Sequence, residues 1–352
     1  LLEEGYKVEV CTQFDGSESD FVNIVDAVHP LFISRRGINP FTDIVSFLNY
    51  VKVLRKRRPD VALFFTIKPN IYGSIAAKFT GTACIQTVTG LGTAFIHGPT
   101  LKCLASFLYF LSARCCRFTV FQNIADMSYF LRARLVDKNR TILCPGSGID
   151  VRQFKPLSGV KGSCGARFLY VGRMIADKGI YELVEAIQQV RLKYPCAKVT
   201  LVGGEAENRT AIPECQLAEW NNNDAIEYVG PQSDIRLWMS NADCVVLPSY
   251  REGLSRVLLE AGAMGIPAIT TNVPGCVDVI EHGVNGLICE PRESESLQRA
   301  MLDFLDTSEA DRAQMAVNAR AKCEQKFSTT VVNDIYVAAI DEVIQGQGKV
   351  HA

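Results

Sequence analysis

The stretch Arg251–Pro267, REGLSRVLLEAGAMGIP, carries the pattern that decides the fold. The apolar run Cys244–Pro248 before it predicts a buried strand, and Ala268–Thr271 after it predicts another. Between them, with Ser255 as a suitable N-cap, one face of a helix collects four apolar residues: Leu254, Val257, Leu258 and Ala261. A strand, a helix and a second strand in this order predict part of a parallel α/β sheet.

Two glutamates in this stretch, Glu252 and Glu260, are separated by seven residues. The prediction puts Glu252 on the loop before the helix and Glu260 about two turns into it. This loop follows the carboxyl end of a strand, where open α/β sheets bind ligands, and the helix start offers free amides to a phosphate. Glutamates on helices are most often simply solvated. The whole run, which continues to Gly265 and Pro267, favours a binding site instead.

Composition limits the class of protein. The chain has 352 residues, 48% of them hydrophobic and 21% charged, which is typical of a globular protein and of a length that suggests two domains. Lys and Arg total 37 against 38 Asp and Glu, so the net charge of −1 argues against a general affinity for nucleic acid.

The cysteines and histidines argue for a reducing compartment and against a metal site. There are 13 cysteines without a CxxC pair and four scattered histidines without metal-ligand spacing. Free thiols are typical of reducing compartments, so we expect a cytoplasmic protein. The apolar stretch Leu101–Ala113 is too short to cross a membrane.

Strands and helices alternate through both halves of the chain, which predicts two doubly wound domains. We expect a first domain at residues 1–155, a second at 156–330, and a C-terminal helix and tail at 331–352 that packs back on the first. The stretch Asp150–Ala166 is rich in Gly, Ser, Pro and Lys and is typical of an interdomain linker. Predicted helices include Phe41–Arg57 and Cys276–Ile280. Predicted strands include Phe118–Phe121, Lys198–Val202 and Gly286–Cys289.

The amino-terminal stretch Leu1–Val10 is typical of the last turn of a helix, a glycine C-cap at Gly5 and a strand. A doubly wound domain normally begins earlier, with a strand and a glycine-rich loop. We therefore expect that roughly 20–30 residues precede this sequence in a complete domain.

The run from Glu252 to Pro267 resembles the Glu-x7-Glu signature of retaining GT-B glycosyltransferases of family four, the glycogen-synthase-like group. The resemblance implies two facing Rossmann-like domains with a cleft between them. It implies that Glu252 contacts hydroxyls of the donor sugar and that Glu260 binds the ribose. Backbone amides would face the diphosphate; they belong to Gly253, Leu254, Ser255 and Val257.

A second element, YVGRMIADKG at Tyr170–Gly179, carries Gly172, Arg173 and Lys178. Two cations around a turn could stabilise a departing nucleoside diphosphate without a metal ion. Surface cations near turns are common, but this pair matches the arginine and lysine of the same family. The resemblance further implies that the loops at Gly203 and Val229 hold the base. It implies no cofactor beyond the UDP-sugar, and we expect turnover without metal.

A third element, TVTGLGTAFIHG at Thr87–Gly98, resembles the TGLG stretch of transferases that build bacterial surface polysaccharides and lipid-linked oligosaccharides. Many relatives have a histidine near this point, where this chain has Thr89-Gly90. His97 lies eight residues later and is a candidate catalytic residue, although a lone histidine is more often structural. The resemblance implies a UDP-linked N-acetylhexosamine as donor and an undecaprenyl-diphosphate sugar or another glycan as acceptor.

A basic cluster at Lys52 and Arg55–Arg58, together with the apolar stretch Leu101–Ala113, suggests peripheral contact with an anionic membrane at the inner face of the cell membrane.

The expected function is retaining hexosyl transfer through an oxocarbenium-like state, with Glu252 in a positioning role. Two alternatives stay open: a catalytically impaired nucleotide-sugar-binding remnant, and a nucleotide-sugar epimerase with the same architecture.

Overall fold

A computed structural model describes residues 1–13, 21, 24–32, 39–91, 99–157, 166–204 and 210–348. The chain divides into two compact units, one formed by Leu1–Cys144 with Val332–Ala352 and the other by Pro145–Val331. The sheets of both units are parallel, and each unit has buried apolar clusters of its own.

The first unit contains a two-stranded and a four-stranded parallel sheet. Its strands are β1 (Glu9–Thr12), β2 (Ala27–Pro30), β3 (Val61–Phe65), β4 (Ala83–Val88), β5 (Phe118–Phe121) and β6 (Thr141–Leu143). Its helices include α1 (Pro40–Arg57), α2 (Ser74–Thr80), α3 (Pro99–Cys115) and α4 (Ile124–Arg132). The larger sheet has the order β3-β4-β5-β6.

The second unit is a doubly wound sheet with the order β12-β11-β10-β7-β8-β9. Its strands are β7 (Arg167–Val171), β8 (Lys198–Val202), β9 (Ile226–Tyr228), β10 (Cys244–Leu247), β11 (Ala268–Thr271) and β12 (Gly286–Cys289). Its helices include α5 (Ile180–Val190), α6 (Glu214–Asn221), α7 (Arg236–Ser240), α8 (Arg256–Ala263), α9 (Ser294–Asp306) and α10 (Glu309–Lys322). The winding direction reverses between β7 and β10, which are neighbours in the sheet.

The last helix, α11 (Thr329–Gly348), contributes to the core of the first unit. Its buried residues Tyr336 and Ile340 pack with Ile85 of β4 and Val120 of β5. The Tyr336 hydroxyl lies 2.8 Å from the Thr87 hydroxyl, a hydrogen bond between side chains 249 positions apart in the sequence. The end of the chain is therefore part of the first unit's structure.

Helix α1 confirms the predicted helix at Phe41–Arg57, but several of its apolar residues are exposed, while Tyr50, Val51 and Leu54 are in the core. Phe41 is 81% exposed and Leu48 is 56% exposed, whereas Asp43 and Ser46 are buried. Helical spacing identifies which residues share a face, but the neighbouring elements decide which face is buried. The buried face here lies against α2 and the Pro69–Gly73 turn of π-helix.

The predicted helix at Cys276–Ile280 is wrong, because these residues form a series of turns. Cys276 and Val279 are buried all the same, which explains why the apolar spacing looked helical. The Gly275 amide donates a hydrogen bond to the Asp278 carboxylate at 2.9 Å, and Gly275 itself has a φ of 80°. The amides of Cys276 and Val279 bond to carbonyls three residues back, so the segment forms single turns and not a continuous α-helical ladder.

Candidate functional site

The predicted site residues of the second unit lie on loops at the carboxyl edge of its sheet. The loop after β7 carries Gly172, Arg173 and Lys178, and the loop after β10 carries Glu252 and Gly253. Because β7 and β10 flank the point where the winding reverses, these two loops border the crevice in which doubly wound sheets bind ligands.

Lys178 and Glu252 form an ion pair between these two loops. Their side chains are 19% and 14% exposed, so the pair is largely but not fully withdrawn from solvent. The Tyr250–Asp177 backbone contact joins the same loops one residue before Lys178 and two residues before Glu252, with the Tyr250 amide donating to the Asp177 carbonyl at 2.9 Å. The two loops are thus fixed against each other at the point where their charged groups meet.

Tyr250 is a second fixed point of the Glu252 loop that sequence reasoning missed. Its hydroxyl donates to Glu182 Oε1 at 2.6 Å, and the Arg292 guanidinium carbon lies 4.5 Å from its ring centroid. Burial and the hydrogen bond to the Glu182 carboxylate raise the pKa of the Tyr250 hydroxyl, so this group stays protonated and donates. Nothing in the spacing of Tyr250 and Glu182 along the sequence indicates this contact.

Glycines permit the close approach of these loops. A Cβ atom on Gly179 would lie 2.1 Å from the Pro248 carbonyl oxygen, and one on Gly275 would lie 2.4 Å from the Gly253 carbonyl oxygen. Both glycines also have left-handed φ angles, 72° and 80°. Each position therefore excludes a side chain for two reasons, the backbone conformation and the lack of space.

The start of α8 combines a capped terminus with a buried carboxylate. The Ser255 side chain accepts a hydrogen bond from the Leu258 amide at 3.4 Å, and the Ser255 amide itself reaches the Gly275 carbonyl at 3.4 Å. Glu260 is 7% exposed, and its carboxylate contacts the Arg256 guanidinium at 3.3 Å. Burial raises the pKa of Glu260 above its ordinary value, and Arg256 offsets part of this effect.

The other predicted contacts lie on the same edge of the sheet. Arg173 has an exposed side chain, while its carbonyl accepts a hydrogen bond from the buried Tyr170 hydroxyl at 2.9 Å. Gly203 follows β8, and the space beside it is filled by the Gly172 carbonyl oxygen, 1.8 Å from where a Cβ would lie. Val229 follows β9, and its carbonyl accepts from the Gln232 amide group at 2.9 Å.

Two buried residues behind the Glu252 loop were not predicted. Ser249 is fully buried, and among the described residues its hydroxyl has no hydrogen-bond partner. The Ser249 carbonyl accepts a hydrogen bond from Thr271 of β11, which ties the end of β10 to its neighbour. Cys276 is also buried, and burial raises the pKa of its thiol to about 12. For Ser249, the available signal was a serine between the apolar run Cys244–Pro248 and the stretch that begins at Arg251.

His97 lies outside the described residues. Within the described parts of the chain, no group of three or more His, Cys, Asp and Glu side chains is arranged to hold a metal ion. The cysteines in these parts are free thiols. No helix among the described residues combines the length and the apolar character that crossing a membrane requires.

Two family descriptions match the chain, one for each half. Residues 160–322 match the family "Glycosyl transferases group 1", and residues 1–123 match the family "Glycosyl transferase 4-like". The first match includes the Arg173–Lys178 loop and the whole of the Glu252 to Pro267 run.

Two curated relatives resemble the chain over most of its length. It is 29% identical to an N,N'-diacetylbacillosaminyl-diphospho-undecaprenol alpha-1,3-N-acetylgalactosaminyltransferase of Campylobacter jejuni, with 89% of this chain and 85% of that protein covered. It is also 29% identical to the capsular polysaccharide biosynthesis glycosyltransferase CapM of Staphylococcus aureus, with 90% and 85% covered.

A solved structure shares the fold. The chain superposes on Anabaena HepE in complex with UDP with a TM-score of 0.76 at 19% identity, covering 96% of this chain and 93% of that one. The α/β fold with two Rossmann-like units, which the Glu252 to Pro267 run predicted, is confirmed as a GT-B fold. With both halves matched by glycosyltransferase families, the chain is a glycosyltransferase, and its residues 160–322 belong to the glycosyl transferases group 1.

Proposed function

We propose that this chain transfers an N-acetylhexosamine from a UDP-linked donor to a lipid-diphosphate-linked sugar, with retention of the anomeric configuration. The observation that carries the proposal is the Lys178–Glu252 ion pair at the switch point of the second sheet. A cation suited to a diphosphate and a carboxylate suited to sugar hydroxyls meet there, on two loops that are fixed to each other.

In this proposal, donor binding separates the pair. The Lys178 ammonium turns to the diphosphate, beside the exposed Arg173 guanidinium, and the Glu252 carboxylate accepts hydrogen bonds from sugar hydroxyls. The free amides at the start of α8, together with the positive end of its helix dipole, favour binding of the phosphates. The Glu260 carboxylate accepts hydrogen bonds from the ribose hydroxyls. These bonds replace the solvation that burial takes from the carboxylate.

Retention follows if the acceptor attacks from the face that the diphosphate leaves. The bond from the anomeric carbon to the phosphate oxygen breaks, the bond to the acceptor oxygen forms, and the departing phosphate takes the acceptor proton. Arg173 and Lys178 stabilise the negative charge that develops on the diphosphate, so the proposal includes no metal ion. Glu252 positions the sugar and is not a nucleophile.

The donor and acceptor classes are proposed from the relatives. The Campylobacter relative is named for transfer of N-acetylgalactosamine to a diphospho-undecaprenol-linked sugar, and the Anabaena structure holds UDP. UDP-GalNAc and UDP-GlcNAc are therefore the first donors to test, with undecaprenyl-diphosphate sugars as acceptors.

The first unit has a surface suited to the membrane in which such an acceptor resides. Helix α1 exposes Phe41, Ile44, Val45 and Leu48, and α3 exposes Leu104, Phe107 and Leu111. The exposed cations Lys52, Lys56 and Arg58 lie toward the carboxyl end of α1. Apolar side chains beside exposed cations are the combination that binds anionic bilayers. We place the protein on the inner face of the cell membrane.

The test is a panel of UDP- and GDP-sugars with undecaprenyl-diphosphate sugars, run in EDTA. We expect glycoside formation from a UDP-N-acetylhexosamine. Transfer from GDP-sugars alone would refute the donor class, and a strict requirement for a divalent metal would refute the metal-free mechanism. An epimerised donor formed without acceptor would instead identify an epimerase.

A further inference from the structure

A lysine is held in a fixed position at the carboxyl edge of the first unit's larger sheet. Lys68 follows the end of β3, and its ammonium donates a hydrogen bond to Asp43 Oδ1 at 2.8 Å. The Tyr72 hydroxyl donates to Asp43 Oδ2 at 2.9 Å. Because both oxygens of Asp43 are engaged and Asp43 is 6% exposed, the carboxylate serves to hold its two partners in place.

The ammonium of Lys68 has capacity for a ligand. Its side chain is 18% exposed, compared with 8% for Asp43. An ammonium has three N–H donors, and within the part of the chain that the structure describes Asp43 is its hydrogen-bond partner. Two donors remain, on a side chain whose conformational freedom is already restricted, which lowers the entropy cost of binding an anion.

The backbone leading to Lys68 is in an unusual conformation. Thr66 has a φ of 70°, a left-handed value that is rare for a β-branched residue. The Asn70 amide holds this turn by donating to the Thr66 carbonyl at 3.0 Å. The Asn70 side chain is fully buried and donates to the Thr87 carbonyl of β4 at 2.7 Å. Strain that is kept in place by neighbouring strands is typical of functional loops.

Exposed apolar residues lie on the same helical turn as Asp43, the partner of Lys68. Asp43 lies in the first turn of α1, and its neighbour Ile44 is 56% exposed, as is Phe41 at 81%. A ligand that matches both features has an anionic group for the ammonium and an apolar chain for the helix surface. Orthophosphate or a sugar alone would use one feature and leave the other unoccupied.

We propose that Lys68 binds the phosphate groups of a polyprenyl-diphosphate acceptor, and that Asp43 and Tyr72 position it. This inference rests on the proposed function for the class of acceptor. It assigns the carboxyl edge of the first sheet, at the FTIKPN segment Phe65–Asn70, to the acceptor diphosphate.

The test measures binding of farnesyl diphosphate by calorimetry, with the donor site saturated with UDP so that Arg173 and Lys178 are occupied. We expect wild type to bind farnesyl diphosphate, and Lys68→Ala to weaken this binding roughly tenfold or more, the loss of one charge-assisted contact. Lys68→Arg keeps the charge and is expected to retain most of the affinity. The control is Lys78→Ala, which removes an exposed lysine at the end of α2 and is expected to bind like wild type.

Farnesol and inorganic diphosphate separate the two halves of the ligand. We expect Lys68→Ala to leave farnesol binding unchanged and to weaken inorganic diphosphate binding. Equal affinity of wild type and a folded Lys68→Ala for farnesyl diphosphate would overturn the inference, as would the absence of farnesyl diphosphate binding by UDP-saturated wild type. Transfer assays with undecaprenyl-diphosphate sugars test the proposed function separately. If wild type transfers and Lys68→Ala has the same KM for the acceptor, the inference alone fails.

Discussion

The Lys178 ammonium donates a hydrogen bond to the Glu252 carboxylate, joining the loop after β7 to the loop after β10 in the second unit. The two residues are 74 positions apart in the sequence. Nearby, the Tyr250–Asp177 backbone hydrogen bond and the close approach of Gly179 to the Pro248 carbonyl hold the same two loops together.

Replacing either member of this pair is expected to reduce transfer strongly. Glu252→Gln removes the charge that orients the sugar, and Lys178→Ala removes a cation that stabilises the leaving diphosphate. Each change is expected to lower kcat roughly 10²–10³-fold, the usual effect of losing one group that stabilises transition-state charge. Steady-state transfer assays measure this, with Glu185→Gln, an exposed glutamate of α5, as the control. Full transfer by Glu252→Ala would contradict the positioning role.

Substitution of Gly179 tests the close approach of the two loops. In Gly179→Ala the new methyl group would meet the Pro248 carbonyl oxygen at 2.1 Å, so the loops must separate. We expect UDP affinity and transfer to fall together. The matched control is Gly283→Ala, because Gly283 has a similar φ of 77° but open space around it. If both variants lose UDP affinity to a similar extent, the cause is backbone strain at a left-handed position and not the contact between the loops.

Glu260→Gln is expected to raise the thermal stability of the protein but to weaken its binding of UDP. Burial raises the pKa of Glu260, so its ionised form disfavours the folded state without ligand. This penalty is absent below the ordinary glutamate pKa of about 4.3 and grows as the pH rises through the raised value. The amide should therefore raise Tm at pH 7, with a smaller gain near pH 4, as thermal unfolding at several pH values would measure.

The same substitution should weaken UDP binding roughly tenfold or more, because the ribose hydroxyls lose a charged acceptor. Calorimetric titration with UDP measures this loss. A Glu260→Gln variant that binds UDP as tightly as wild type would remove Glu260 from the donor site, whatever its effect on Tm.

The exposed face of α1 gives a prediction for membrane binding. The double substitution Ile44→Asp with Leu48→Asp places two charges on a surface that is already solvent-exposed, so folding should be little affected. Binding to vesicles containing phosphatidylglycerol should fall at least several-fold in sedimentation assays. Leu192→Asp, at a position 80% exposed in the second unit, is the control and should bind like wild type. Unchanged vesicle binding by the double variant would contradict the docking surface.

Elements with strong hydrophobic patterns could be predicted from the sequence. Four strands have the predicted bounds: Phe118–Phe121, Lys198–Val202, Ala268–Thr271 and Gly286–Cys289. All are short apolar runs between turn residues. The elements without such a run were missed, namely β2, β6 and α6, which are short or polar.

The loops of the candidate site could be predicted because its residues form local motifs, but the contacts between these residues could not. The Glu252 to Pro267 run and the Arg173–Lys178 loop identified the loops, whereas the pairing of Lys178 with Glu252 depends on strand order. Tyr250 was missed because its partner Glu182 lies on another helix. The exposure of Phe41 could not be predicted either, because periodicity does not say which side of a helix the core occupies.

The central claim is tested most directly by the anomeric configuration of the product formed from an α-linked UDP-N-acetylhexosamine in EDTA. The coupling constant of the newly formed anomeric proton, measured by NMR, distinguishes the two configurations. An α-glycoside, lost in Glu252→Gln, is the result predicted by the Lys178–Glu252 site. A β-glycoside would show inversion and contradict same-face transfer at this site.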